Sequence, residues 1–197
     1  MWRLEESEWV DILISIVALS IAFSYPSLVN LPFVFIGVAS SFIPHELAHR
    51  AVAIEMGYRA RYRLSPWSTF ATIVLSMLTG GVVKFGATGA VEIRERVNRE
   101  DMVQIALAGP LMNLVVAVFS TLLTPLAPLV LPLVALSNVC VGVSNLLSVP
   151  PLDGYHVYRY SPRIWAIVFS ASIAVGVLVL VSLGLITIST LLSFLRW

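Results

Sequence analysis

His45-Glu46-Leu47-Ala48-His49 is the segment whose residue types and spacing can do chemistry. Histidines four apart on a helix share one face, a turn apart, so both imidazoles can reach a single ion. Glu46 projects beside them and can take a proton from an ion-activated water without ligating the ion itself. That chemistry is zinc-assisted hydrolysis. A hydrolytic zinc site takes three protein ligands and keeps a fourth position open. The third ligand does not follow at the short spacing used by soluble enzymes. Val52 stands where a glycine would turn the chain, and Glu55 where a further histidine would return. A helix running on through Val52 carries Glu55 about 9 Å along its axis, away from the pair. Glu92, Asp101, Asp153 and His156 remain as alternatives.

The elements that must hold these groups follow from composition. Of 197 residues, 58% are hydrophobic and 12% charged, with a mean hydropathy of +0.93. Soluble domains carry about 25% charged residues, so this chain cannot cover a water-facing surface. Twelve Lys+Arg against 11 Asp+Glu leave a net charge of +1, which excludes charge-driven disorder and nucleic-acid binding. The single cysteine, Cys140, excludes an intramolecular disulfide and a Cys-based zinc finger, and reads as a small core residue. What remains is an all-α integral membrane protein. In such a protein three ionisable side chains within one apolar helix need a shared reason.

Charge spacing locates the spans. No charged residue lies between Asp11 and His45, Arg63 and Lys84, Asp101 and Asp153, or Arg163 and Arg196. A span needs about 20 apolar residues, so 102–152 holds two helices, with Pro125, Pro128 and Pro132 at the turn between them. Pro26, Asn30 and Pro32 divide the first gap into a segment at 9–28 and another from Leu31. The acidic opening, with Glu5, Glu6 and Glu8, is a poor signal-peptide start, so 9–28 reads as a retained helix. The predicted architecture is a polytopic bundle of about five to six membrane segments. It forms a single unit over 1–197, with flanking helices at 9–28 and 164–195, the latter bending back near Gly184. Pro44 cannot donate to the Ser40 carbonyl, so the second helix is expected to kink or restart before His45. The stretch 67–78 is too short to span, and Gly80, Gly81, Gly86 and Gly89 follow it among Val, Phe and Thr. This is strand-and-turn composition, expected to be re-entrant or packed against protein.

Arg50, Arg59, Arg61 and Arg63 cluster after the second segment, whereas the 28–31 turn before it is uncharged. Positive residues stay inside, so the N-terminus and the histidine end of that helix face the cytoplasm. The arginines at 59, 61 and 63 alternate as on a strand, and topology anchoring explains them. The run 92–101 mixes both signs and reads as a solvated loop. The helix near 102–124 then runs outward and that near 131–147 returns, delivering Asp153 to the depth of the histidines. Asp153 is thus the expected third ligand, and His156 a loop residue or a neighbour of the site.

These residues resemble the site-2 protease family of intramembrane zinc metalloproteases. Three motifs carry the resemblance: His45-Glu46-Leu47-Ala48-His49; Gly109-Pro110 with Asn113; and Asn145 with Pro150, Leu152, Asp153 and Gly154. They span roughly 31–156. The resemblance implies a three-helix catalytic core in which His45, His49 and Asp153 bind one Zn²⁺. It also implies that Glu46 is the general base and that Asn145 holds substrate backbone or oxyanion. No PDZ or nucleotide-binding insertion is present, and Pro44 departs from the usual apolar residue. Gly109, Pro110 and Asn113 read as helix packing.

A zinc site among membrane helices meets transmembrane protein substrates in the lipid bilayer. A helical peptide bond must unwind before attack, and strand addition along 82–93 is expected to hold the freed backbone. The rival readings are a metal transporter, which needs polar ligands spread along a path, and an inactive membrane chaperone, which has no use for Glu46.

Overall fold

The computed structural model describes residues 4–82, 86 and 88–186. Its elements in chain order are α1 (Glu6–Ser24), α2 (Leu31–Glu55), β1 (Ala60–Leu64), α3 (Pro66–Leu78), β2 (Gly89–Ile93), α4 (Arg99–Leu122), α5 (Leu131–Asn145), α6 (Asp153–Tyr160) and α7 (Pro162–Ser182). The protein is a helical membrane protein with one small sheet. Helix α1, residues 28–55, α4 and α7 are long and apolar enough to cross a membrane. Two shorter apolar helices, α3 and α5, complete the six apolar segments.

Local chemistry explains where the helices begin. Proline stands at the first or second position of α2, α3, α5 and α7, where its missing N–H has no helical acceptor to lose. Asn98 caps α4 by accepting the Asp101 N–H at 2.8 Å. Ser65 caps α3 in the same way through Ser68.

Packing follows the reversed logic of a bilayer. Helices α2, α4 and α5 pack mutually, with α1 against α2, α6 against α4, and α7 against α4, α5 and α6. The buried stripe of α2 is Gly37, Ser41, His45, His49 and Ala53, each one turn from the next. Its outward face carries Phe33, Phe35 and Ile36. Ser15, Ser41, Asn113, Asn138 and Ser172 are likewise buried, while Val115, Val118 and Phe119 of α4 are exposed. Polar groups inside and apolar groups outside suit a solvent that cannot hydrogen-bond. Cys140 is exposed on α5, which corrects its expected place in the core; it stands on the apolar outer surface.

The second helix does not restart. Helix α2 runs unbroken through Pro44, and the Ser40 carbonyl accepts from the Asn138 side chain of α5 at 3.3 Å. A neighbouring helix thus supplies the donor that proline removes.

The segment 67–78 is α3, thirteen residues long and so about 20 Å, too short for a bilayer core of about 30 Å. Of the stretch 82–93 expected to form a strand, 89–93 is β2, which pairs antiparallel with β1, Tyr62 opposite Val91; 83–85 and 87 lie outside the described residues. Glu92 therefore lies in a strand and Asp101 in the first turn of α4, which corrects the reading of 92–101 as one loop. The arginines expected to anchor the topology form ion pairs. Arg59 pairs with Glu95 at 2.6 Å, Arg61 with Glu5 at 3.4 Å and Arg63 with Glu92 at 3.3 Å.

The outer edge of β1 is closed by α1. Tyr62 N–H donates to Glu8 at 3.1 Å and Leu64 N–H to Asp11 at 3.2 Å. The same buried Glu8 carboxylate accepts from the Arg50 guanidinium of α2 at 3.0 Å. One carboxylate therefore ties α1, α2 and the sheet together. At the far end, α7 closes at Gly184 with φ +71; the expected return of 187–195 lies outside the described residues.

Candidate metal centre

His45 and His49 sit one turn apart near the C-terminal end of α2, 4% and 6% exposed. Their Nε2 atoms are 3.1 Å apart. Asp153, the first residue of α6, brings its Oδ2 to 3.2 Å from each of them. Of the four alternatives for the third position, Asp153 is the one in the cluster. Glu92 faces Arg63 and Asp101 faces Tyr58 and Asn98. His156 lies on α6 with its ring against Tyr155.

The donor atoms suit a metal ion. The Nδ1 of His49 lies 2.6 Å from the Ile105 carbonyl, which can only accept, so the ring proton sits on Nδ1. The Nδ1 of His45 likewise lies 2.6 Å from Asn113 Oδ1. With both Nδ1–H groups committed, the two Nε2 atoms present lone pairs to each other. Asp153 Oδ2 is buried with no hydrogen-bond partner. Three lone pairs converging in an apolar helix bundle need a cation. Ligands about 2.0–2.2 Å from a tetrahedral zinc stand about 3.3–3.6 Å apart. The observed triangle of 3.1–3.2 Å is slightly tighter than that.

The neighbours of the triangle make it possible. A Cβ at Gly109 of α4 would land on His49 Nε2 and within 2.8 Å of His45 Cε1. Gly109 is therefore room for the rings, not only for helix contact. Gly154 abuts the Leu146 carbonyl, where a Cβ would also collide. The Trp165 indole donates to that carbonyl at 2.7 Å, so α7 helps hold the turn that carries Asp153.

Asn113, read from sequence as packing, is fully buried and bonded to His45. Asn138, which sequence reasoning missed, is bonded to Asn113 at 2.8 Å. Its signal was an amide in an apolar segment, a group that needs a partner in lipid. Glu46 is 9% exposed and adjoins His45 in the chain. Asn145 ends α5, half-buried, and donates to Val141 of its own helix at 3.0 Å.

Residues 33–128 match peptidase family M50. The chain is 37% identical to a protein of Methanocaldococcus jannaschii called "Putative zinc metalloprotease", over 85% of this chain and 92% of the relative. No solved structure matches. A helical membrane scaffold carrying a histidine–histidine–carboxylate triangle defines a membrane metalloprotease, and zinc is its metal. The chain belongs to peptidase family M50, the site-2 protease family.

Proposed function

We propose that the protein is an intramembrane zinc endopeptidase that cleaves peptide bonds within or near the transmembrane segments of other membrane proteins, in regulated intramembrane proteolysis. The observation that carries this reading is the triangle of His45, His49 and Asp153 built from spanning helix α2 and the adjoining α6. Polar ligands gathered at one point suit hydrolysis, whereas a transporter needs them along a path. The cell membrane is the proposed location, with the N-terminus and the site toward the cytoplasm, supported by the arginines that follow α2.

His45, His49 and Asp153 are the proposed zinc ligands. Zinc held there supplies Lewis acidity toward the scissile carbonyl and makes water acidic enough to attack near neutral pH. Glu46 takes the proton of the attacking water and passes it to the leaving amine, a contribution typically of 10²–10⁴-fold. Asn145 is assigned to the substrate backbone or the developing oxyanion. An unwound substrate needs partners for its backbone, and β2 is suited to provide them. Because Tyr62 and Leu64 turn their N–H groups to α1, the residues opposite them, Val91 and Gly89, turn theirs to the outer edge of β2. No third strand covers that edge among the described residues.

The test compares purified wild type with Glu46→Gln in detergent, for zinc content and for cleavage of single-span substrates. Both should hold about one zinc, and only wild type should cleave. Cleavage surviving in the variant overturns Glu46 as the base, and cleavage without zinc overturns the mechanism.

A further inference from the structure

We propose that Asn138 is a positioning residue for the metal centre: through Asn113 it fixes which nitrogen of His45 carries the proton, and so which is free for the metal. The inference rests on His45 being a ligand. Its polarity starts from backbone carbonyls, which can only accept. Asn138 Nδ2 lies 2.9 Å from the Val134 carbonyl and 3.3 Å from the Ser40 carbonyl. Both of its N–H groups are thereby spent, and its Oδ1 must face Asn113. That Oδ1 accepts from Asn113 Nδ2 at 2.8 Å, and the Ser41 carbonyl accepts from the same Nδ2 at 2.8 Å. Asn113 has then spent both N–H groups as well, so the atom left for His45 is an acceptor. His45 answers with Nδ1–H at 2.6 Å, and its Nε2 is left bare beside His49 and Asp153.

Either amide reversed would set oxygen against oxygen in a site where both side chains are fully buried. Pro44 belongs to the same device. It leaves the Ser40 carbonyl without its helical donor, which creates the acceptor that orients Asn138. The two histidines therefore differ. His49 is set by a backbone carbonyl that no substitution removes, whereas His45 is set by two side chains on two other helices.

The test uses the zinc-loaded full chain in detergent with ¹⁵N-histidine; three histidines make the spectrum assignable. In wild type the His45 Nδ1–H should be a strongly hydrogen-bonded, slowly exchanging proton, resolved from that of His49. In Asn138→Leu this signal should shift and exchange at least about tenfold faster, with zinc affinity about tenfold weaker and the His49 signal unchanged. Asn113→Leu should lose about 10–100-fold in zinc affinity, and Asn113→Asp, which keeps an acceptor toward His45 but sets its other oxygen against Asn138 Oδ1 and the Ser41 carbonyl, should recover only part of it. The unmoved His49 signal shows that a variant is folded. Pro44→Ala, which removes no amide, should shift the His45 proton in the same direction and less. An unchanged His45 proton and zinc affinity in Asn138→Leu overturns the proposal. Full zinc retention in His45→Ala instead overturns the ligand assignment beneath it.

Discussion

The imidazole of His49 occupies the space that a side chain at Gly109 would fill. A Cβ at position 109 would fall on His49 Nε2 and reach 2.8 Å from His45 Cε1. At position 109 helix α4 thus meets the two imidazoles with backbone alone.

Gly109→Ala should therefore cost metal. Alanine in a helix interior is favoured over glycine by about 0.5–1 kcal/mol, so helix propensity alone would stabilise the variant. Overpacking against two rings costs about 1–3 kcal/mol and acts on the ligand atoms themselves. The steric term wins. Zinc affinity should fall about 10–100-fold, as it does when a ligand is displaced from its support, with helix content retained. Isothermal titration or chelator competition reads the affinity and circular dichroism the fold; wild-type affinity would mean that the rings can shift at no cost.

Asp153 and His156 separate cleanly. Asp153→Ala removes the one carboxylate of the triangle and should abolish tight zinc binding and cleavage together. His156→Ala should leave zinc content at about one per chain and cleavage within about threefold of wild type, since its ring packs on Tyr155. Stripping wild type with a chelator should stop cleavage, and zinc should restore it. The reverse pattern, with His156 essential and Asp153 dispensable, would move the third ligand along α6.

Much of this site was legible in the sequence because it is local. The histidine pair is one turn of one helix, and the charge-free run of 51 residues between Asp101 and Asp153 is long enough for two helices with prolines at the turn between them. That return brings Asp153 to the histidines. What was not legible depends on a partner from another element. The Ile105 carbonyl is backbone and leaves no residue signal, and Asn138 gains meaning only beside Asn113 and the Ser40 carbonyl. Pro44 read as a break because a single helix has no second donor for Ser40, whereas the bundle does. Cys140 read as core because burial was judged by apolarity, a rule that lipid reverses.

Glu8 should prove a structural keystone remote from the chemistry. It is 1% exposed, against Arg50 at 7%, and it also accepts from Tyr62 N–H. Removing one partner of a buried ion pair typically costs about 3–5 kcal/mol, because the other charge stays behind in a poor solvent. Glu8→Ala should therefore lower the unfolding midpoint in detergent by many degrees. Glu8→Gln, which keeps the shape and one acceptor, should lose less. Equal stability of Glu8→Ala and wild type would show that water reaches the pair.

The outer edge of β2 gives the sharpest test of how substrate is held. Val91 packs against both hydrophobic clusters around Tyr62 and Ala53, so any substitution there loses contacts. Its N–H, however, points away from β1, because its opposite number Tyr62 donates to Glu8. Val91→Ala and Val91→Pro share the packing loss, and proline alone also removes the outward donor. If substrate adds as a strand, Val91→Pro should cleave at least about tenfold more slowly than Val91→Ala, with zinc content equal in the two. The comparison subtracts packing from pairing. Equal rates in the two variants would sink strand addition at this edge and leave the metal centre untouched.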